Sequence, residues 1–180
     1  MRIVLPKTFV EIDNDYGPVF FLAGPIKGGN DWQYRVVKEI ERYYVGFYAV
    51  LPNRYKNFHP LMLRKINGNE NKFERQTSWE RHYLNIASNL GCIIFWLPAE
   101  DKLNPRKDGE VYARDTRGEL GEWRGRMMHN KDLKVVIGAE EDFPGLSQIQ
   151  RNFNEALNIQ FPIYKTLSGT VEAAIDKSMD

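Results

Sequence analysis

VFFLAGPIKGGNDW, Val19 to Trp32, runs from five apolar residues through a Gly-Pro and a Gly-Gly into a helical pattern. The apolar run reads as a buried strand. Asn30 or Asp31 can cap a helix in which Trp32, Val36, Ile40 and Tyr43 recur at three- and four-residue spacing. A strand, a bare loop and a helix in that order form the first half of a βα unit. The loop fits neither well-known phosphate fingerprint: Ile26 stands where G-x-G-x-x-G needs glycine, and no Gly-Lys-Ser/Thr follows. Its glycines permit either a tight turn or a close backbone approach to a ligand.

The same alternation continues outward. VGFYAVLP, stopped by Pro52, CIIFWLP, KVVIGA and FPIYKT read as four further strands. Helices lie between them. Thr77 to Glu80 has capping-box spacing ahead of Tyr83, Ile86, Ala87 and Leu90, and a third helix should run from about Thr116 to His129. Ser147 can cap a fourth, carrying Ile149, Phe153 and Leu157, and the last holds Val171, Ala174 and Ile175. Five βα steps predict an α/β single domain over 1–180, a flavodoxin-like or Rossmann-like doubly wound, mostly parallel five-stranded sheet. Residues 1–18 read as an N-terminal extension. The polar stretches 53–76 and 99–115 read as long active-site loops, the first a candidate lid.

Composition narrows the function classes. Lys plus Arg number 25 against 24 Asp plus Glu, a net charge of +1, so no global field favours nucleic acid or an anionic membrane. The default partner is a small molecule. The sole cysteine, Cys92, sits in an apolar run without a disulfide partner, and no apolar stretch approaches bilayer length. The expectation is a soluble, cytoplasmic protein. His59, His82 and His129 are scattered without a metal-ligand pattern, and no serine-nucleophile motif occurs.

Carboxylate chemistry remains, and its densest cluster is YARDTRGELGEW, 112–123. Asp115 and Glu119 lie four apart at a helix start, with Arg114 and Arg117 beside them. A rival account makes Thr116 to Glu119 a plain capping box. Against that account, Gly118 and Gly121 flank Glu119 at a cost of about 1 kcal/mol each in a helix, as though room were needed there. In a doubly wound sheet ligands bind beyond the carboxyl ends of the strands, which places 24–30, Pro52 onward and 98–116 on one edge.

Leu22-Ala23-Gly24-Pro25, Ala87-Ser88-Asn89 before CIIFW, and Glu119-Leu120-Gly121 together resemble the nucleoside 2-deoxyribosyltransferase-like family. The resemblance runs over most of the chain from Val19. It implies cleavage or transfer at an N-glycosidic bond, with Glu119 attacking C1′ and a covalent glycosyl intermediate. It implies Asp115 as the acid, Asn89 near the base, and Gly24, Pro25, Lys27, Gly28 and Gly29 around the sugar. Thr116 and Arg117 would stand beside the nucleophile. Trp32, Trp79 and Trp96 are candidates to stack on a base. No cofactor or metal is implied, and a dimer or larger oligomer is.

The loop Gly24 to Gly29 is also similar to that of the 2′-deoxynucleoside 5′-phosphate N-hydrolases, where Lys27 would hold a phosphate. A non-catalytic nucleotide-binding protein is the alternative from another class. Phe20 and Phe21, which lack a hydroxyl, and Asn89, where the family has aspartate, favour it.

Overall fold

The computed structural model describes residues 1–53 and 55–179. Six strands form one sheet: β1 (Arg2–Val4), β2 (Val19–Ala23), β3 (Tyr48–Val50), β4 (Gly91–Leu97), β5 (Val135–Ala139) and β6 (Ile163–Tyr164). Their order is β1-β3-β2-β4-β5-β6, and every neighbouring pair is parallel. From β3 onward this is the flavodoxin-like order read from the sequence. The sixth strand is the correction: Arg2 to Val4 pair with Tyr48 to Val50, so the stretch read as an extension begins with an edge strand.

Five helices cover the sheet: α1 (Trp32–Ile40), α2 (Gln76–Leu90), α3 (Arg114–His129), α4 (Leu146–Leu157) and α5 (Leu167–Met179). Alternation along β4 sorts them into two layers. Cys92, Ile94 and Trp96 join the core beneath α1 and α5, while Ile93, Phe95 and Leu97 join the core beneath α2, α3 and α4. No helix among the described residues is long and apolar enough to cross a membrane.

The described residues of the stretch 53–76 pack along the sheet. They contain a short 3-10 helix, Pro60–Arg64, and then run along the sheet edge, where Lys65 bridges Ile3 and Asn69 bridges Phe9. This covers an edge that would otherwise expose unpaired backbone. Residues 5–10 are held in turn by α2: Trp79 Nε1 donates to Thr8 O at 2.9 Å, and Val10 N donates to the Tyr83 hydroxyl at 2.8 Å.

The helix starts also differ from the expected ones. Arg75 precedes α2 with no side-chain cap, so the Thr77 to Glu80 box does not form. Gly145, not Ser147, stands before α4. α3 begins at Arg114 after Ala113 in the left-handed region, φ 58°, which puts Thr116 inside the helix and removes the capping role proposed for Glu119.

Candidate active site

The order of strands reverses at β2, with β3 on one side and β4 on the other. A cavity of about 520 Å³ opens at that switch point, beyond the carboxyl ends of these strands. Its size lies in the range that takes a small organic ligand. A larger cavity, about 690 Å³ and lined by Leu157, Ile159, Phe161 and Tyr164 of β6, contains none of the candidate catalytic or binding residues read from the sequence.

The first wall is helical. Gln76 and Glu80 stand four apart at the start of α2, and Asp115, Thr116 and Glu119 share one face of the first turns of α3. From Thr116 the same stripe continues along α3 as Leu120, Trp123 and Met127, buried in the core, which fixes the helix's rotation. Asp115 in the first turn also suits the positive end of the helix dipole. The second wall is loop: Gly24 to Lys27 after β2, Pro52 and Asn53 after β3, and Arg106 after β4.

Packing holds the glycine loop open. Gly24 has φ 150°, and a Cβ there would sit 2.2 Å from the carbonyl oxygen of Trp96, so only glycine fits. Trp32 Nε1 donates to Pro25 O at 2.8 Å, and Gln33 Nε2 donates to Leu22 O at 2.9 Å. Asp101 N donates to Gly28 O at 2.7 Å, joining this loop to the one after β4. Asp108 completes the clasp, 2.9 Å from Lys27 Nζ and 2.5 Å from Arg106 Nε. Those two cations, Arg106 foremost, hold the Asp108 carboxyl far below the usual range.

Glu119 is mostly buried and has no hydrogen bond or ion pair among the described residues. Burial, then the carboxylates of Glu80, Asp115 and Glu122, push its pKa up to about 8. Glu80 is also raised, first by burial and then by Asp115, against a hydrogen bond from Gln76 Nε2 at 2.9 Å. Gln76 Nε2 reaches Pro52 O as well, at 3.1 Å, so the Glu80 carboxylate is positioned from β3. Burial and the neighbouring carboxylates thus favour the protonated form of both groups, the condition under which a carboxyl can serve as an acid.

The structure gathers Glu119, Asp115, Thr116, Gly24, Pro25 and Lys27 around the cavity. Gly28 and Gly29 shape the loop from outside it, facing Arg106 N and Pro25 O. Others stand elsewhere. Asn89 ends α2 at the opposite sheet edge, its amide donating to Asn85 O at 2.7 Å. Arg117 braces the next loop through Tyr112 O and Pro144 O. Trp32, Trp79 and Trp96 are core side chains, at most 2% exposed, and none offers a ring face to a base. Gly118 and Gly121 do not line the cavity, and a Cβ at either would meet nothing within 4 Å, so crowding does not explain them.

Glu80, Gln76 and Arg106 were missed. For the first two a signal existed: helix starts in a doubly wound sheet face the ligand edge, and the capping-box reading had assigned Glu80 to the backbone. His59 is engaged with Asp31 at 2.8 Å, and His82 packs among Phe9, Phe73 and Tyr83. Among the described residues no three His, Cys, Asp or Glu side chains form a group that could hold a metal ion.

Against known proteins, the chain matches no family model and no curated protein.

Proposed function

We propose that this cavity binds a nucleoside or nucleotide and cleaves its N-glycosidic bond at C1′, with Glu119 as the attacking carboxylate. One observation carries the reading. A mostly buried glutamate with no cationic partner among the described residues lines a ligand-sized cavity at the switch point, beside a second carboxyl whose pKa is also raised.

The sugar lies against the backbone of Gly24 to Lys27, which brings C1′ toward α3. Near neutral pH the Glu80 and Glu119 pair retains a proton. With that proton on Glu80, Glu119 is free to attack C1′ while Glu80 protonates the departing base. The glycosyl ester then reacts with water, or with a second base in a transferase. Asp115, exposed at the rim, stands near the oxocarbenium-like centre.

A 5′-monophosphate substrate is the second reading, favoured by Lys27 and Arg106 lining the same cavity with only Asp108 between them. A phosphate can take the place of that shared carboxylate.

The test is chromatography of nucleosides and their 5′-monophosphates after incubation with the protein, with and without a free acceptor base, beside Glu119→Gln. Glu119-dependent free base identifies a hydrolase, and base exchange a transferase. Saturable binding without either product identifies a binding protein and removes the catalytic reading.

A further inference from the structure

The two walls of the cavity differ in charge. Among the described residues the helical wall presents Glu80, Asp115 and Glu119 and no cation. Arg114 extends to Glu110 and meets Asp115 at 3.3 Å, outside the lining. The loop wall presents Lys27 and Arg106. A neutral purine or pyrimidine placed against the helical wall leaves this carboxylate charge unanswered.

We infer that the base expelled here is cationic: the site takes an N-glycoside whose ring carries a fixed positive charge, such as a ribosyl-pyridinium or an N7-alkylated purine nucleoside. This rests on the N-glycosidic reading and names its substrate class. Charge complementarity is the argument: a cation against Glu80 and Glu119 gains attraction in a partly desolvated site, where such interactions are strongest.

The chemistry closes without an acid. The C1′–N bond breaks with both electrons going to the ring nitrogen, which cancels the positive charge of the base. A Glu119 oxygen bonds to C1′. Water then displaces the ester, leaving the free sugar hydroxyl, the regenerated carboxylate and one proton released to solvent. A neutral base would need that proton before departure. The cation has a second effect: it favours the ionised form of Glu119, so the nucleophile is armed when its substrate is bound.

The test separates binding from turnover. Guanosine and 7-methylguanosine differ by one methyl group and one charge, and their 2′-deoxy forms make a second matched pair. Calorimetry on the full chain carrying Glu119→Gln, checked for an unchanged melt, should show the methylated member binding about 10-fold tighter in low salt. Adding Glu80→Gln should erase most of that preference. Equal affinities, or a preference for guanosine, would overturn the inference. Wild-type cleavage decides the other claim: Glu119-dependent release of neutral bases alone keeps the N-glycosidic reading and discards the cationic one. No Glu119-dependent release from any member discards both.

Discussion

The indole Nε1 of Trp32, the first residue of α1, donates to the carbonyl oxygen of Pro25 at 2.8 Å, so the helix that follows the glycine loop also holds its shape. Trp32→Phe keeps a ring in the core and removes that donor. Stability should fall by about 2 kcal/mol from the lost hydrogen bond and the smaller ring. If the reaction proposed above is correct, KM should rise several-fold while kcat changes less, because the loop binds the sugar and does not attack it. Chemical denaturation and steady-state kinetics check the two halves separately.

Glu119 makes stability depend on pH with a definite sign. Folded, it keeps its proton up to about 8; unfolded, it loses it near 4.5. Between those values the folded chain binds more protons, so this residue's contribution to stability falls as pH rises through the window and is constant above it. Glu119→Gln abolishes that titration. The variant should melt higher than the parent at pH 9, at about 2–4 °C for each kcal/mol recovered, and equally at pH 4. A melting difference that ignores pH would mean that the buried charge carries no penalty.

Two glycines should respond oppositely to alanine. Gly24→Ala places a Cβ 2.2 Å from Trp96 O at φ 150°, and should lower Tm by several degrees along with any activity. Gly121→Ala meets nothing within 4 Å in the middle of α3, and should stabilise by about 0.5–1 kcal/mol. Parallel thermal melts of the two variants check this.

Asp108→Asn frees Lys27 and Arg106 from their shared carboxylate. Lys27 is exposed, but only 8% of the Arg106 side chain is, so the melting temperature should fall modestly as that guanidinium loses its carboxylate. KM for a 5′-monophosphate should fall several-fold, with the bare nucleoside unaffected. Equal effects on the two substrates would remove the phosphate reading.

Much of this was readable from residue order. Five of the strands are continuous apolar runs bounded by Gly, Pro or polar residues, and buried parallel strands write that signal strongly. β1 was missed because three residues, Arg2 to Val4, carry no period, and only pairing with Tyr48 to Val50 makes them a strand. Both capping boxes failed for one reason: Thr77 and Thr116 have the right spacing, but burial of Trp79 and Trp123 sets where each helix begins. Glu119 and Asp115 line one cavity as their spacing predicts, because four-residue spacing on a helix survives an error of two residues in its start. Arg106 and Asp108 lie in an aperiodic loop, and nothing local distinguishes them from the other charges between 99 and 113. Trp96 and Asn89 failed differently, since side-chain direction and sheet edge follow from topology and not from residue type.

The helix that presents Gln76 and Glu80 is also the one that grips residues 5–10 through Trp79 and Tyr83. Its seat therefore leans on a peripheral strap next to the β1 edge of the sheet, far in sequence from Glu119. A cut within that strap takes from α2 the backbone partners of Trp79 and Tyr83 and leaves the helix on its core contacts alone, so disturbance at the sheet edge is passed to the wall that carries Glu80.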